Sequence, residues 1–188
     1  MKKQISQKFK EIMELLGLDV DGDDSLQGTP DRVAKMFSDE IFSGLKEENF
    51  PKITAQDNVF NYDEMLIEVD IPVKSVCEHH FQPIVGKAHI AYIPSDKLLG
   101  LSKLNRIVDY YARRPQVQEK LVVNISDKLR EILKTDNVAV TIDAQHFCIV
   151  MRGITQDGCV TRTSKLSGEF KANIKTKEEY LNAIGRVK

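Results

Sequence analysis

The chain has 188 residues, 41% of them hydrophobic and 29% charged, with a formal net charge of −1. That is enough apolar matter for one core, or one core with an arm, and it excludes a disordered chain. Near-neutral charge and a pI of about 6.4 give no global basic field for nucleic acid or an anionic membrane, so an anionic substrate must be held by a local cluster of cations.

Three widely spaced cysteines, Cys77, Cys148 and Cys159, do not form a secreted disulfide framework. Reduced thiols in a cytoplasm are the simpler expectation. The basic start Met1-Lys2-Lys3 leads into no apolar stretch of the signal-peptide kind. No run of about 18 apolar residues predicts a membrane-spanning helix.

In chain order, Ile5, Phe9, Ile12, Met13 and Leu16 repeat with helical spacing, and Gly17 follows where a helix would stop. An acidic loop runs from Asp19 to Gly28. Thr29-Pro30 predicts the start of a second helix, Thr29 as cap and Pro30 in the first turn, ending near Gly44. Residues 1–50 therefore read as a helical arm and residues 51–188 as the main domain.

Met65, Ile67, Val69, Ile71 and Val73 alternate with polar residues and predict a half-buried strand. Val85 to Ile93 predicts a second strand. A helix is expected over 102–113, capped by Ser102, and a longer one from Pro115 to Leu133. Val138 to Arg152 predicts a third strand. Val160 to Phe170 is its expected antiparallel partner across an Asp157-Gly158 turn. The order strand-strand-helix-helix-strand-strand indicates an α+β domain, an antiparallel sheet with two helices on one face.

Chemistry concentrates at Cys77-Glu78-His79-His80, in the connection between the first two strands. A thiolate and an imidazole three positions apart can turn onto one metal ion, and zinc favours such mixed sulfur and nitrogen sets. His79, between them, is expected to point elsewhere and to be free for acid–base work. On a regular strand His146 and Cys148 share one apolar face, ~7 Å apart, with Arg152 ~13 Å from Cys148 on the same face. Cys148 is the expected third ligand and His146 a catalytic neighbour. Three ligands plus a water make a catalytic site and four a structural one. His79, His146 and Cys159 are the candidates for a fourth ligand; His79 is sterically awkward beside His80, Cys159 could reach from beyond a turn and close the site, and the spacing favours the open one.

At the helix starting near Ser102, Lys103 and Arg106 lie three apart beside a positive dipole end and form a candidate phosphate cradle. Arg152 is a candidate addition to it. A solvated basic face explains the same residues. Gln118 and Glu119 open the next helix; helix capping accounts for Glu119, and an amide beside a carboxylate also suits a guanine edge. His89 and Cys159 are expected to be structural.

Ser75-Val76-Cys77-Glu78-His79-His80, Gly86 to Pro94, Gly100-Leu101-Ser102-Lys103-Leu104, Arg114 to Glu119, His146-Phe147-Cys148 and Met151-Arg152-Gly153 together resemble GTP cyclohydrolase I of the zinc-dependent type. The resemblance extends to Thr29 to Met36 in the arm. It implies a tunnelling fold and a toroidal homodecamer with active sites between subunits. One zinc per subunit would be held by Cys77, His80 and Cys148. His79 and His146 would be the acid–base pair, Ser102 would assist the ribose steps, and Gln118 and Glu119 would read guanine. Lys103, Arg106 and Arg152 would hold the triphosphate. The implied reaction hydrates GTP at C8, opens the ring, releases formate and rearranges the ribose to 7,8-dihydroneopterin triphosphate. Glu78 receives no role. A nitrile reductase of the same fold would need no zinc triad, and a structural zinc module would leave Ser102, Lys103, Arg106 and Glu119 unexplained.

Overall fold

The computed structural model describes residues 1–153, 155, 156 and 158–185. Two arm helices come first, α1 (Lys2–Leu15) and α2 (Thr29–Lys35). The second helix was expected to continue to Gly44. Instead it passes at Met36 into a π-helical turn, Met36–Ile41, followed by short 3₁₀ turns. Helix α2 also starts one residue early, capped by Gly28, so that Thr29 is already helical.

The body is built on β1 (Ala55–Asp57), β2 (Leu66–Cys77), β3 (Pro83–Tyr92) and β4 (Lys97–Leu99). Next come α3 (Leu101–Ala112), β5 (Pro115–Gln116), α4 (Gln118–Leu133) and β6 (Val138–His146). A helical turn α5 (Phe147–Val150), β7 (Thr161–Leu166), α6 (Glu169–Ala172) and α7 (Ile174–Ile184) complete it. The main sheet has the order β5-β2-β3-β6-β7, antiparallel except for the short β2–β5 pairing, and β1 pairs with β4 separately.

Alternation decides the core. Ile71 and Val73 of β2, Ile84, Ala88, Ile90 and Tyr92 of β3, and Val138, Val140, Ile142 and Ala144 of β6 face one way. Helix α3 covers them with Leu104, Ile107, Val108 and Ala112, and α4 with Leu121, Ile125, Leu129 and Leu133. Each buried valine, leucine or isoleucine among them stabilises the fold by roughly 1.5–3 kcal/mol. The α+β class and the two helices on this face are as expected. Helix α7 was not anticipated. It covers part of the other face, where Tyr180 and Ile184 pack with Phe170, Ala91 and Ala139. Its signal was there: Asn173 accepts from the Lys175 N–H as an N-cap, ahead of Ile174, Tyr180, Leu181 and Ile184.

Three boundaries differ, each for a physical reason. Ser102 does not cap α3: Gly100 precedes the first turn in extended conformation, and Ser102 lies inside that turn. The second long helix begins at Gln118 rather than at Pro115. Gln116 is held extended because its side-chain amide donates to the Ser75 hydroxyl (3.1 Å) and the Tyr111 carbonyl (2.6 Å). The third strand stops at His146 rather than running to Arg152. Its partner β7 forms as expected, though shorter; Asp157 of the expected turn lies outside the described residues.

His89 is structural, as expected. A bulge in β2 puts Asp70 at φ +60, which turns its N–H onto His89 Nδ1 (3.3 Å). Nε2 therefore carries the ring proton and faces Asp143 at 3.5 Å, while Arg162 donates twice to Asp143 at 2.6 Å. The Tyr180 hydroxyl donates to the Thr141 hydroxyl (2.8 Å), which closes the cluster from α7. Burial pushes the His89 pKa below its ordinary 6.5, outweighing Asp143 and Asp70. The unfolded chain then takes up this proton near pH 6.5 while the folded chain resists it, so stability is full above that pH and falls below it. His89→Gln is expected to flatten the decline in unfolding free energy below pH 6.5 by up to ~1.4 kcal/mol per pH unit, measured by denaturant titration against pH. An unchanged slope would contradict this.

Candidate active site

Cys77 ends β2, and a tight turn returns the chain to β3. Two backbone bonds close it: Cys77 N–H to the Gln82 carbonyl (2.8 Å) and Phe81 N–H to the Cys77 carbonyl (2.9 Å). The Glu78 N–H donates to the Gln116 carbonyl (3.2 Å), which ties the turn to β5. This places His80 on the open side of the turn while the Cys77 side chain is buried, 5% exposed.

Cys148 arrives by a different route from the expected one. It sits on helical turn α5, packed against the core beside Cys77, and not on a continued β6. The ligand atoms of Cys77, His80 and Cys148 nevertheless all lie within 4.8 Å of one another. Burial pushes the Cys148 thiol up, and the Cys77 sulfur adds to the shift. Two sulfurs and an imidazole nitrogen forced together are a set that a soft-accepting dication satisfies. The three residues can hold a metal ion. Among the described residues Cys159 does not join them.

His79 is closer to the cluster than expected: its Nδ1 is 3.9 Å from Cys77 Sγ. Its ring stands 6.2 Å from that of His80, nearly perpendicular to it. Arg152 was placed ~13 Å from Cys148 on a strand; the helical turn instead brings its guanidinium to His80, Nη1 to Nε2 at 2.7 Å.

His146 is the last residue of β6, opposite Ile84 of β3. Its Nε2 lies 2.7 Å from Oε1 of Gln118. Gln118 is 1% exposed, and its amide nitrogen donates to the Ile142 (2.8 Å) and Thr161 (2.9 Å) carbonyls. Both amide hydrogens are thus used, leaving only an acceptor for His146. His146 therefore carries its proton on Nε2 and presents Nδ1 outward. Burial pushes its pKa down, and Glu119, exposed at the start of α4, raises it in part. Gln118 is committed to the protein and to His146 and has no donor left for a guanine edge. Sequence reasoning placed it at the site and missed this function, since both carbonyls come from distant strands.

The cationic group lies elsewhere in the chain. Asn105 of α3 bonds to Glu68 of β2, nine residues before Cys77, which is roughly 30 Å along a strand. The other end of α3 is the one near the turn: Ser75 Oγ donates to the Arg114 carbonyl (3.3 Å). Ser102 and Lys103, which precede Asn105 in α3, thus lie toward the Glu68 end of β2, away from the metal-ligating turn. Lys103 Nζ donates to the Lys52 carbonyl (3.3 Å). Arg106 lines a cavity of about 170 Å³ with Ser43, Asn49, Asp109 and Arg113. The structure thus brings together Cys77, His79, His80, Gln118, Glu119, His146, Cys148 and Arg152, and leaves Ser102 and Lys103 toward the other end of β2, with Arg106 part-way along α3. Among the described residues no helix is long and apolar enough to cross a membrane.

Comparison with known proteins adds to this geometry. The family model described as GTP cyclohydrolase I matches residues 5–185. GTP cyclohydrolase 1 of Enterobacter sp. (strain 638) is 52% identical over 183 residues, covering 97% of this chain and 82% of that protein. GTP cyclohydrolase 1 of Tolumonas auensis is 52% identical over 181 residues, covering 96% and 83%. Among solved structures, the archaeosine synthase QueF-Like in the apo form aligns with a TM-score of 0.45 at 20% identity, covering 57% of this chain and 94% of that one.

Proposed function

The chain belongs to the GTP cyclohydrolase I family, and from that premise we propose how its residues divide the hydrolysis of GTP. It is a GTP cyclohydrolase of pterin and folate biosynthesis. The observation that carries the site assignment is the Cys77, His80 and Cys148 cluster beside His146.

Zinc is the ion this donor set fits, one per chain. When bound, it supplies an activated water near neutral pH. The protein does the rest. His146, held at Nε2 by Gln118, takes up a proton from solvent at Nδ1 and, as the imidazolium, passes it to N7 of the purine. His79 serves as the second proton carrier during ring opening and formate release. Glu119 accepts from the N–H groups of the guanine edge, while Gln118 acts through His146. Arg152 lies beside the metal ligands and turns to the phosphates. Lys103 and Arg106 hold the rest of the triphosphate, and Ser102 assists the ribose rearrangement to 7,8-dihydroneopterin triphosphate.

Ser102 and Lys103 lie toward the Glu68 end of β2 and the metal-ligating cluster lies at its Cys77 end, which suits a substrate site shared between two copies. Membership of the GTP cyclohydrolase I family is what supports a toroidal homodecamer with sites between subunits and the assignment of the sheet to the tunnelling fold. The two-residue edge strand β5 and the outer edge of β7 are suited to continuation by neighbouring copies. Residues 1–50 remain the arm and 51–188 the catalytic domain, and the enzyme works in the cytoplasm.

Co-expression tests the shared site. Cys148→Ser chains and chains carrying both Lys103→Ala and Arg106→Ala are each expected to be inactive alone. Mixed oligomers are expected to regain about a quarter of the parent activity, because random mixing rebuilds that share of two-copy sites. Inactive mixed oligomers would overturn the shared site.

A further inference from the structure

Three phenylalanines connect the arm to the metal-ligating turn. Phe81 closes the turn directly after His80, at φ +52, a conformation unusual for a side chain of its size. Its ring meets Phe42 at 5.5 Å and Phe37 at 6.3 Å between centroids, both edge-on, and Phe37 and Phe42 are 5.1 Å apart. Aromatic pairs in this range attract beyond their buried area.

The π-helical turn makes the pairing possible. Residues five apart on an α-helix fall ~140° apart around the axis and cannot share a face. The wider Met36–Ile41 turn brings Phe37 and the residue just after it, Phe42, together. This segment is in turn fixed to the body. The Gly44 N–H donates to the Arg113 carbonyl (2.9 Å), Arg114 donates to the Gly44 carbonyl (2.6 Å), and Arg113 donates to the Glu40 carbonyl (3.1 Å). A side chain at Gly44 would sit 2.2 Å from the Tyr110 carbonyl oxygen, so the close approach requires glycine.

We infer that Phe37 and Phe42 form a clamp on Phe81, so that the arm positions Cys77 and His80 for the metal. Phe81 is held from outside the turn, in a conformation that a free turn would leave. Loss of the clamp lets the turn relax and spreads the two ligands it carries. The three phenylalanines lie outside the candidate ligand set and act as positioning residues. The inference rests on the reading that Cys77, His80 and Cys148 hold zinc.

The test is zinc affinity, measured by chelator competition on folded, full-length protein, with thermal stability measured in parallel. Phe42→Ala is expected to weaken zinc binding about 10-fold or more, as loss of support around a metal site does. Phe42→Leu, which refills the space, is expected to restore most of it. Phe37→Ala serves as the second variant if Phe42→Ala does not fold. An arm that merely adds stability would lower the melting temperature with zinc affinity unchanged, and that result overturns the clamp. A parent protein that binds no zinc would instead overturn the metal assignment itself.

Discussion

Replacing Cys148 with serine is expected to abolish zinc binding and turnover together. Cysteine binds zinc as a thiolate, and a serine hydroxyl stays neutral and hard at the same pH. Two ligands, Cys77 and His80, would remain on one short turn, with nothing to complete the site from α5. Zinc affinity should fall by more than the ~100-fold that disturbing outer partners produces. Turnover should fall further, on the order of 10⁴-fold or more, because the pKa of the attacking water would return from ~7 towards that of bulk water. The fold should survive, since the side chains are nearly the same size and Cys148 is only partly buried. Cys159→Ser is the control, and both zinc and activity should stay at parent levels. A Cys148→Ser protein that keeps one zinc per chain and its turnover would remove the ligand assignment.

His146→Ala is expected to separate the two functions that Cys148→Ser loses together. Zinc should remain, because His146 is outside the ligand cluster. The turnover number should fall by roughly 10²–10⁴-fold, the range for a lost general acid or base. Gln118 would lose its partner at Oε1 but keep both bonds to the Ile142 and Thr161 carbonyls, so its placement should hold. The diagnostic is one zinc per chain by metal analysis with the turnover number lost. A variant that turns GTP over within ~3-fold of the parent would exclude His146 as the proton carrier, since a lost acid or base costs far more.

The sequence was most readable where chemistry is local. Cys77 and His80 share one turn, so their spacing alone was enough. Cys148 does lie beside Cys77 and His80, but the premise that put it there was false. Nothing local stops the strand at His146; no proline or glycine intervenes before Cys148, and a helical turn forms instead. Arg152 was displaced by the same turn, from a distant position to a contact with His80. Gln118 shows the opposite limit. Its residue type and position suggested a substrate reader, but its donors are taken by carbonyls 24 and 43 residues away in the chain. Only the fold reveals such partners. The Lys103 and Arg106 pair was legible as a cationic helix face, yet its place relative to the metal-ligating turn depends on strand direction and tertiary packing. Helix α7 carried a readable cap and apolar spacing, whereas the π-helical turn at Met36 had no local signal.

The most direct test of the account is the product balance on GTP. Zinc-loaded protein is incubated with GTP, and formate is quantified beside the pterin triphosphate, read by fluorescence after oxidation. The expected result is one formate for each pterin, and no product after chelation until zinc is returned. GTP left intact by zinc-loaded protein, or turnover that persists fully after zinc is removed, would contradict it.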